Sequence, residues 1–139
     1  MKEYFNLSET RMCKALFPEL LNANNTLFGG KAMQWMDEVA YISATRFTRQ
    51  RMFTAHTGNI RFLKAVTPNS IIEIVGCVVK AEAVRLTIKV EIFVEDMYSH
   101  KRDKAIEGDF VMIALNAKDQ PQRIDYSYIE EQMSQTILN

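Results

Sequence analysis

The sequence predicts an α+β protein in which one antiparallel sheet of five long strands wraps around a single long helix. Two observations carry this prediction. Apolar residues recur at three- and four-residue spacing over residues 29–50, the only long helical pattern in the chain. Five other segments read as strands, one before that helix and four in succession after it, and their short connections favour antiparallel pairing. The helix can bury its apolar face only against this sheet.

The predicted helix has an apolar face, a polar face and two shoulders between them. The apolar face carries Ala32, Met33, Met36, Ala40, Ser43, Ala44 and Phe47. At about 100° per residue, Asp37 lies on one shoulder of this face and outside the solvated stripe. Trp35 and Ile42 lie on the other shoulder. An exposed pair there would be an apolar patch, which predicts contact with a second subunit.

The strands are predicted from a change of period and from turn residues. Residues 85–96, RLTIKVEIFVED, alternate between apolar and polar side chains, which is typical of a half-buried strand. The preceding strand, predicted over 70–83, contains Gly76, which suggests a bulge or a bend. The other three strands are predicted over residues 7–17, 53–66 and 104–117.

The length of the chain predicts one domain over residues 1–139, with a core at about 8–120 and a C-terminal tail over 121–139. A hydrophobic fraction of 47% supplies one sizeable core.

The 17 basic and 17 acidic residues cancel, so charge gives no reason to expect a nucleic-acid or membrane partner. No apolar run approaches the ~20 residues of a membrane span, and the N-terminus lacks a signal-peptide pattern. We therefore expect a cytoplasmic protein.

No metal and no organic cofactor is expected. Cys13 and Cys77 lie 64 positions apart, without a Cys-x-x-Cys motif or a Cys/His cluster near either. Two buried free thiols are the expectation, with a disulfide or a metal role as the alternative.

The start of the helix is a candidate for chemistry. Residues 22–38, NANNTLFGGKAMQWMDE, form a polar loop, the pair Gly29–Gly30 and the first helical turns. Glycine lets a ligand approach the backbone and adopts φ values that other residues avoid. The first amides of a helix have no internal partner and lie at the positive end of its dipole. Such an end can stabilise a carbonyl oxygen that gains negative charge, although Gly-Gly could also serve only as a tight turn.

Asp37 follows Gly30 by seven residues, about two turns or ~10 Å along the helix. A carboxylate there could activate a water, and partial burial would make it a better base than a solvated aspartate. The alternative is a capped or salt-bridged acid at the edge of the apolar face. Asn22, Asn24 and Asn25 are turn residues by default, and one of them could instead polarise a carbonyl or orient water.

Residues 22–46, NANNTLFGGKAMQWMDEVAYISATR, closely resemble the signature of hot-dog acyl-CoA thioesterases of the cytosolic acyl-CoA hydrolase type. That signature is an Asn, a variable loop, Phe-Gly-Gly and a helix that contains Met-Asp-Glu-x-Ala. Residues 54–66 and 86–96 are similar to the second and fourth strands of the family, and the resemblance covers roughly residues 8–120. It implies the hot-dog fold and the hydrolysis of acyl-CoA to a free carboxylic acid and CoA.

The resemblance also implies roles for single residues. Asp37 matches the catalytic acid, which activates the attacking water or attacks the thioester carbonyl itself, and Asn22 matches the catalytic asparagine. Phe28, Gly29 and Gly30 match the Phe-Gly-Gly of the oxyanion and substrate site. The family's sites take Asp and Asn from different subunits. The resemblance therefore implies a homodimer with shared active sites, and such dimers can assemble further into a trimer of dimers.

The chain departs from the family pattern at positions that lie near the CoA moiety. Val84 and Arg85 stand where a small polar pair is common. Arg61, Lys64 and Arg85 are candidates to bind CoA phosphates, because arginine suits phosphate geometry, and each could equally be a plain surface charge. His56 is a candidate substrate contact, with a hydrogen-bonded structural histidine as the alternative.

Other functions are weighed against the thioesterase. A non-catalytic acyl-CoA or nucleotide sensor could use the same fold, because a fold does not determine function. A hot-dog dehydratase would need a histidine just before the helix, where this chain reads LFPELLNANN. An interaction protein without a ligand would leave the Gly-Gly and Asp arrangement unexplained. The joint presence of Asn22 and Asp37 favours the enzyme.

Overall fold

The computed structural model describes residues 1–138, with side chains up to residue 135. The long helix α1 spans Gly29–Thr48, and a second helix, α2, spans Ser127–Leu138. The strands are β1 Thr10–Ala15, β2 Met52–Thr57, β3 Arg61–Phe62, β4 Ser70–Ala81, β5 Leu86–Asp96, β6 Arg102–Leu115 and β7 Pro121–Gln122. Short 3₁₀ helices lie at Lys2–Ser8 and Pro18–Leu20.

The strands form one antiparallel sheet that curls around α1. Five strands follow the order β1–β4–β5–β6–β2, and the two-residue strands β3 and β7 pair with β6. The alternation in β5 covers one face of the sheet with the helix, and on that face Leu86, Ile88, Val90 and Ile92 are fully buried. The predicted α+β hot-dog architecture is confirmed. β2 lies at one end of the sheet, so its outer edge has no strand partner within residues 1–138.

The strand predicted over 53–66 is interrupted in the structure. β2 ends at Thr57, and only Arg61–Phe62 resumes pairing with β6. Within β2, Thr54 pairs with Met112 and His56 pairs with the preceding residue of β6, so Ala55 is an extra residue in the ladder. Such a bulge bends the strand and resets which side chains face inward.

Gly76 allows α1 to pack closely on β4. A Cβ at this position would lie only 2.6 Å from Cγ1 of Val39 and 3.2 Å from Oγ of Ser43. The bulge suggested at Gly76 is wrong, because the register of β4 against β5 shifts between Val78 and Lys80. The glycine is required for space at the helix contact.

Replacement of Gly76 with alanine is therefore expected to lower the free energy of unfolding by about 1–3 kcal/mol, the usual cost of overpacking. Thermal or urea unfolding measures the change. Gly58→Ala is the matched control, since its Cβ would lie 3.4 Å from the Asp109 Cβ, an ordinary contact. Its effect should stay within about 0.5 kcal/mol. Equal losses in the two variants would contradict the packing argument.

The shoulder of α1 that carries Trp35 is covered within the protomer. Trp35 is only 6% exposed, and Nζ of Lys14 in β1 lies 5.6 Å from the centre of its ring. Ile42 is half-buried. The exposed Trp–Ile patch predicted here is wrong, because β1 lies against this side of the helix. Met33, placed on the apolar face, is instead 37% exposed.

The segment predicted as a tail packs on the core through part of its length. Ile124 and Ile129 are buried, and the Tyr126 ring meets the Phe47 ring edge-on at 6.1 Å. Residue 139 lies outside the described residues.

Of the two free cysteines, Cys13 is exposed, so its predicted burial is wrong. Neither helix within residues 1–138 combines the length and apolar character needed to cross a membrane.

Candidate functional site

Asp37 lies on the exposed shoulder of α1 and is held by a hydroxyl from β2. Oγ1 of Thr54 donates a hydrogen bond to Oδ1 of Asp37 across 2.7 Å. The partial burial predicted for Asp37 is wrong for the single protomer, in which this residue is exposed. Within the described chain Asp37 forms no ion pair, and its Oδ2 accepts no hydrogen bond. This oxygen is therefore open to a proton from water.

Thr54 is the residue that the sequence interpretation missed. It points towards α1 because its partner in β6, Met112, is fully buried. The Sδ atom of Met112 lies 3.3 Å from Oγ1 of Thr54, so the single hydroxyl proton has two acceptors within reach. The available signal was a hydroxyl residue on the inward face of the strand that follows the acid-bearing helix.

Asn22 organises the loop that precedes α1. Its Oδ1 accepts hydrogen bonds from the backbone N–H groups of Asn24 at 2.8 Å and Thr26 at 3.2 Å. Its Nδ2 donates to Oγ1 of Thr26 at 3.0 Å. These hydrogen bonds form the turn that was the alternative to a catalytic role for Asn22. In the single protomer they involve both the oxygen and the nitrogen of its side-chain amide.

Phe28, Gly29 and Gly30 form the entry to α1. Neither glycine has a positive φ, so the suggestion that they adopt unusual φ values is wrong. A Cβ on Gly30 would lie 2.6 Å from the Phe28 ring, whereas a Cβ on Gly29 would make only ordinary contacts, the nearest at 3.8 Å from Phe62. The amides of Lys31 and Ala32 both donate to the Phe28 carbonyl, at 3.0 and 3.2 Å. Within the described residues the Gly29 and Gly30 amides donate to no acceptor, which leaves two donors at the positive end of the helix.

A cavity of about 420 Å³ joins the Asn22 loop to the helix start. Its polar wall includes Asn22, Gly29 and Lys64, and its apolar wall is formed by Leu27, Phe62, Leu63, Val66 and Ile106. Asp37 does not line it. The structure thus brings Asn22 and Gly29 together and leaves Asp37 outside their cavity.

Two of the three cations considered for CoA phosphates are already paired. Nζ of Lys64 lies 2.6 Å from Asp103, and this ammonium group holds the pKa of the Asp103 carboxyl below its usual value. Nη1 of Arg61 lies 2.9 Å from Glu107. Arg85 has no ion pair within the described chain.

His56 and Arg85 line a separate groove of about 470 Å³ on the outer face of the sheet. The bulge at Ala55 explains this position, because it pairs His56 with Val111, which points away from α1. The structure therefore does not bring His56 to Asp37. No group of three or more histidine, cysteine or carboxylate side chains suited to a metal occurs within the described residues.

Comparison with known proteins gives one family and several related proteins. Residues 24–99 match the family model of the thioesterase superfamily. The uncharacterized acyl-CoA thioester hydrolase YkhA of Bacillus subtilis is 30% identical over 121 residues, which cover 81% of this chain and 70% of YkhA.

Solved structures of related proteins share the fold. Two variants of an acyl-CoA hydrolase from Staphylococcus aureus superpose with a TM-score of 0.81 at 27% identity, covering 86% of this chain and 74% of theirs. One variant replaces an aspartate with alanine, and the other replaces a threonine 17 residues later. The hexameric thioesterase y2039 of Yersinia pestis superposes with a TM-score of 0.75 at 26% identity, covering 82% and 94% of the two chains.

Proposed function

This chain belongs to the thioesterase superfamily and is an acyl-CoA thioester hydrolase, and on that premise we propose that Asp37 drives the hydrolysis. The observation that carries the proposal is the state of its carboxylate, with Oδ1 held by Thr54 and Oδ2 open. The reaction converts acyl-CoA and water into a free carboxylic acid and CoA.

Asp37 acts as general base or as nucleophile. As a base, Oδ2 takes a proton from the water that attacks the thioester carbonyl carbon. The carbon–sulfur bond of the tetrahedral intermediate then breaks, and the CoA thiolate recovers the proton from Asp37. As a nucleophile, Asp37 would form a mixed anhydride and release CoA, and water would then hydrolyse the anhydride. Both routes use the same open oxygen.

The amides of Gly29 and Gly30 stabilise the negative charge that develops on the thioester oxygen. Two free N–H donors at a helix start suit an oxyanion, and they cost no reorganisation during the reaction. Asn22 lies in the same cavity as Gly29, and the second N–H of its Nδ2, which the bond to Thr26 leaves unused, polarises the carbonyl from the side. Phe28 covers the second glycine and closes this end of the site.

Thr54 orients Asp37. The threonine replaced in the Staphylococcus aureus hydrolase follows the replaced aspartate by 17 residues, the same spacing that separates Asp37 from Thr54. The 2.7 Å hydrogen bond between the Thr54 and Asp37 side chains supports this role, because it leaves the second carboxylate oxygen of Asp37 open.

The active site is shared between two copies of the chain in a homodimer. The placement of Asn22 and Gly29 in a cavity that Asp37 does not line supports a site completed by a second subunit. Exposed aromatic side chains near these residues supply apolar surface for that contact: Phe28, Tyr41, Phe53 and Phe62. The hexameric Yersinia pestis relative supports further assembly into a trimer of dimers.

Arg85 is the strongest candidate to bind a CoA phosphate, because its guanidinium is exposed and unpaired within the described chain. His56 of β2 lines the same groove and supports binding of the same ligand. Arg61 and Lys64 would first have to release Glu107 and Asp103. The chemistry requires only water and these side chains, so we assign no cofactor.

A thiol-release assay across acyl-CoA substrates of increasing chain length tests the proposal. We expect turnover with at least one chain length and no comparable thiol release from the same substrate without the protein. Binding of CoA, measured by calorimetry, together with no turnover of any substrate would refute the enzyme and favour the acyl-CoA sensor.

A further inference from the structure

The contact between Thr54 and Met112 carries an inference that rests on the proposed function. Met112 lies near the C-terminal end of β6 and pairs with Thr54 on one side and Leu86 on the other. Its side chain is fully buried beneath α1, where any aliphatic residue of similar volume would fill the space. What distinguishes methionine from leucine here is the sulfur atom, 3.3 Å from the Thr54 hydroxyl oxygen.

The Thr54 hydroxyl has one proton and two acceptors. Oδ1 of Asp37 is closer, at 2.7 Å, and a carboxylate is a much stronger acceptor than a thioether. While Asp37 is ionised, the proton therefore points to Asp37. Once Asp37 takes a proton or an acyl group, it becomes neutral, and the charge-assisted part of this hydrogen bond is lost.

We propose that Met112 is a positioning residue for the reaction, whose sulfur offers the Thr54 hydroxyl a second acceptor as Asp37 loses its charge. The sulfur competes little with the ionised carboxylate, and it offsets part of the lost bond when the carboxylate is neutralised. Only an interaction that strengthens towards the transition state accelerates the chemical step. Met112 does not contact substrate and acts through Thr54.

Met112→Leu removes the acceptor and keeps the apolar volume. We expect kcat to fall about three- to tenfold, the effect of one weak hydrogen bond, with KM changed less than about twofold. Met52→Leu is the matched control, because Met52 is also buried, lies two residues before Thr54 on the same face of β2 and forms no hydrogen bond with the hydroxyl within the described chain. Its kcat should equal that of the wild type.

A double-mutant cycle with Thr54→Val assigns the route of the effect. If Met112 acts through the Thr54 hydroxyl, Met112→Leu lowers kcat in the wild type and causes no further decrease in the Thr54→Val background. Thermal unfolding of each variant verifies folding, and Met112→Ile replaces Met112→Leu if the latter is unfolded.

Three results would overturn this role: an unchanged kcat in Met112→Leu, an equal decrease in Met52→Leu, or the same decrease without the Thr54 hydroxyl. The proposed function is judged separately. An inactive Asp37→Asn beside an unchanged Met112→Leu refutes only the role of Met112, whereas a fully active Asp37→Asn refutes the proposed function itself.

Discussion

Asp37→Asn is expected to lower kcat for acyl-CoA hydrolysis by at least about 100-fold, the smaller end of what a general base contributes. Asparagine has nearly the shape of aspartate, and its Oδ1 can still accept the hydrogen bond from Thr54 that is 2.7 Å long in the wild type. It can neither take a proton from water nor attack a thioester. CoA affinity should therefore remain, and the loss should fall on kcat in steady-state thiol-release kinetics.

Glu38→Gln is the matched control for this variant. Glu38 is the adjacent residue on α1 and is also exposed, so the change removes one negative charge from the same helix. The kcat of Glu38→Gln should stay within about twofold of the wild type, because the Thr54 hydroxyl donates its hydrogen bond to Asp37 and, within the described residues, forms none with Glu38. A comparable loss in both variants would indicate a general effect of helix charge, and wild-type kcat in Asp37→Asn would exclude Asp37 as base and nucleophile.

Mixing Asp37→Ala protein with Asn22→Ala protein should restore activity if each site takes these residues from different subunits. Random exchange gives heterodimers in which one of the two sites is intact, so recovery should reach about a quarter of the wild-type activity. Each variant alone should be nearly inactive. Exchange is verified by mass spectrometry of differently tagged subunits, and the recovered activity is measured by thiol release.

The contact between Asp37 and Thr54 supplies a control for this experiment. Because the two side chains meet within one protomer, mixing Asp37→Ala with Thr54→Ala repairs no site and should not exceed the activity of Thr54→Ala alone. Verified exchange without recovery in the Asn22 mixture would place both residues of each site in one subunit. Recovery in the Thr54 mixture would contradict the assignment of Thr54 to the site of its own Asp37.

Much of the fold follows from local patterns. The strict alternation of residues 85–96 predicts one buried face, and in β5 that face lies under α1. The helical pattern over 29–50 predicts α1 to within two residues at its C-terminal end. Periodicity succeeds here because it depends only on the geometry of a single element. It also placed Asp37 on a shoulder of the apolar face, but the partial burial expected there is wrong for the single protomer.

The errors concern contacts between elements. Trp35 was placed on a shoulder of the helix that was expected to be exposed, but β1 covers it. The residue pattern of a helix carries no information about the position of a strand elsewhere in the chain. The ion pairs of Arg61 and Lys64 were not predicted for the same reason, since their partners lie in β6, 46 and 39 residues further along the chain.

The sequence by itself determined one curled sheet around one helix and an acid at the edge of that helix, because element periods and a family signature are properties of short segments. Only the tertiary structure decided which hydroxyl meets that acid. Pairing with the buried Met112 sets Thr54 towards α1, and one extra residue in β2, Ala55, turns His56 to the outer face. A bulge reverses the inward and outward positions of the residues that follow it, and whether one forms depends on the partner strand.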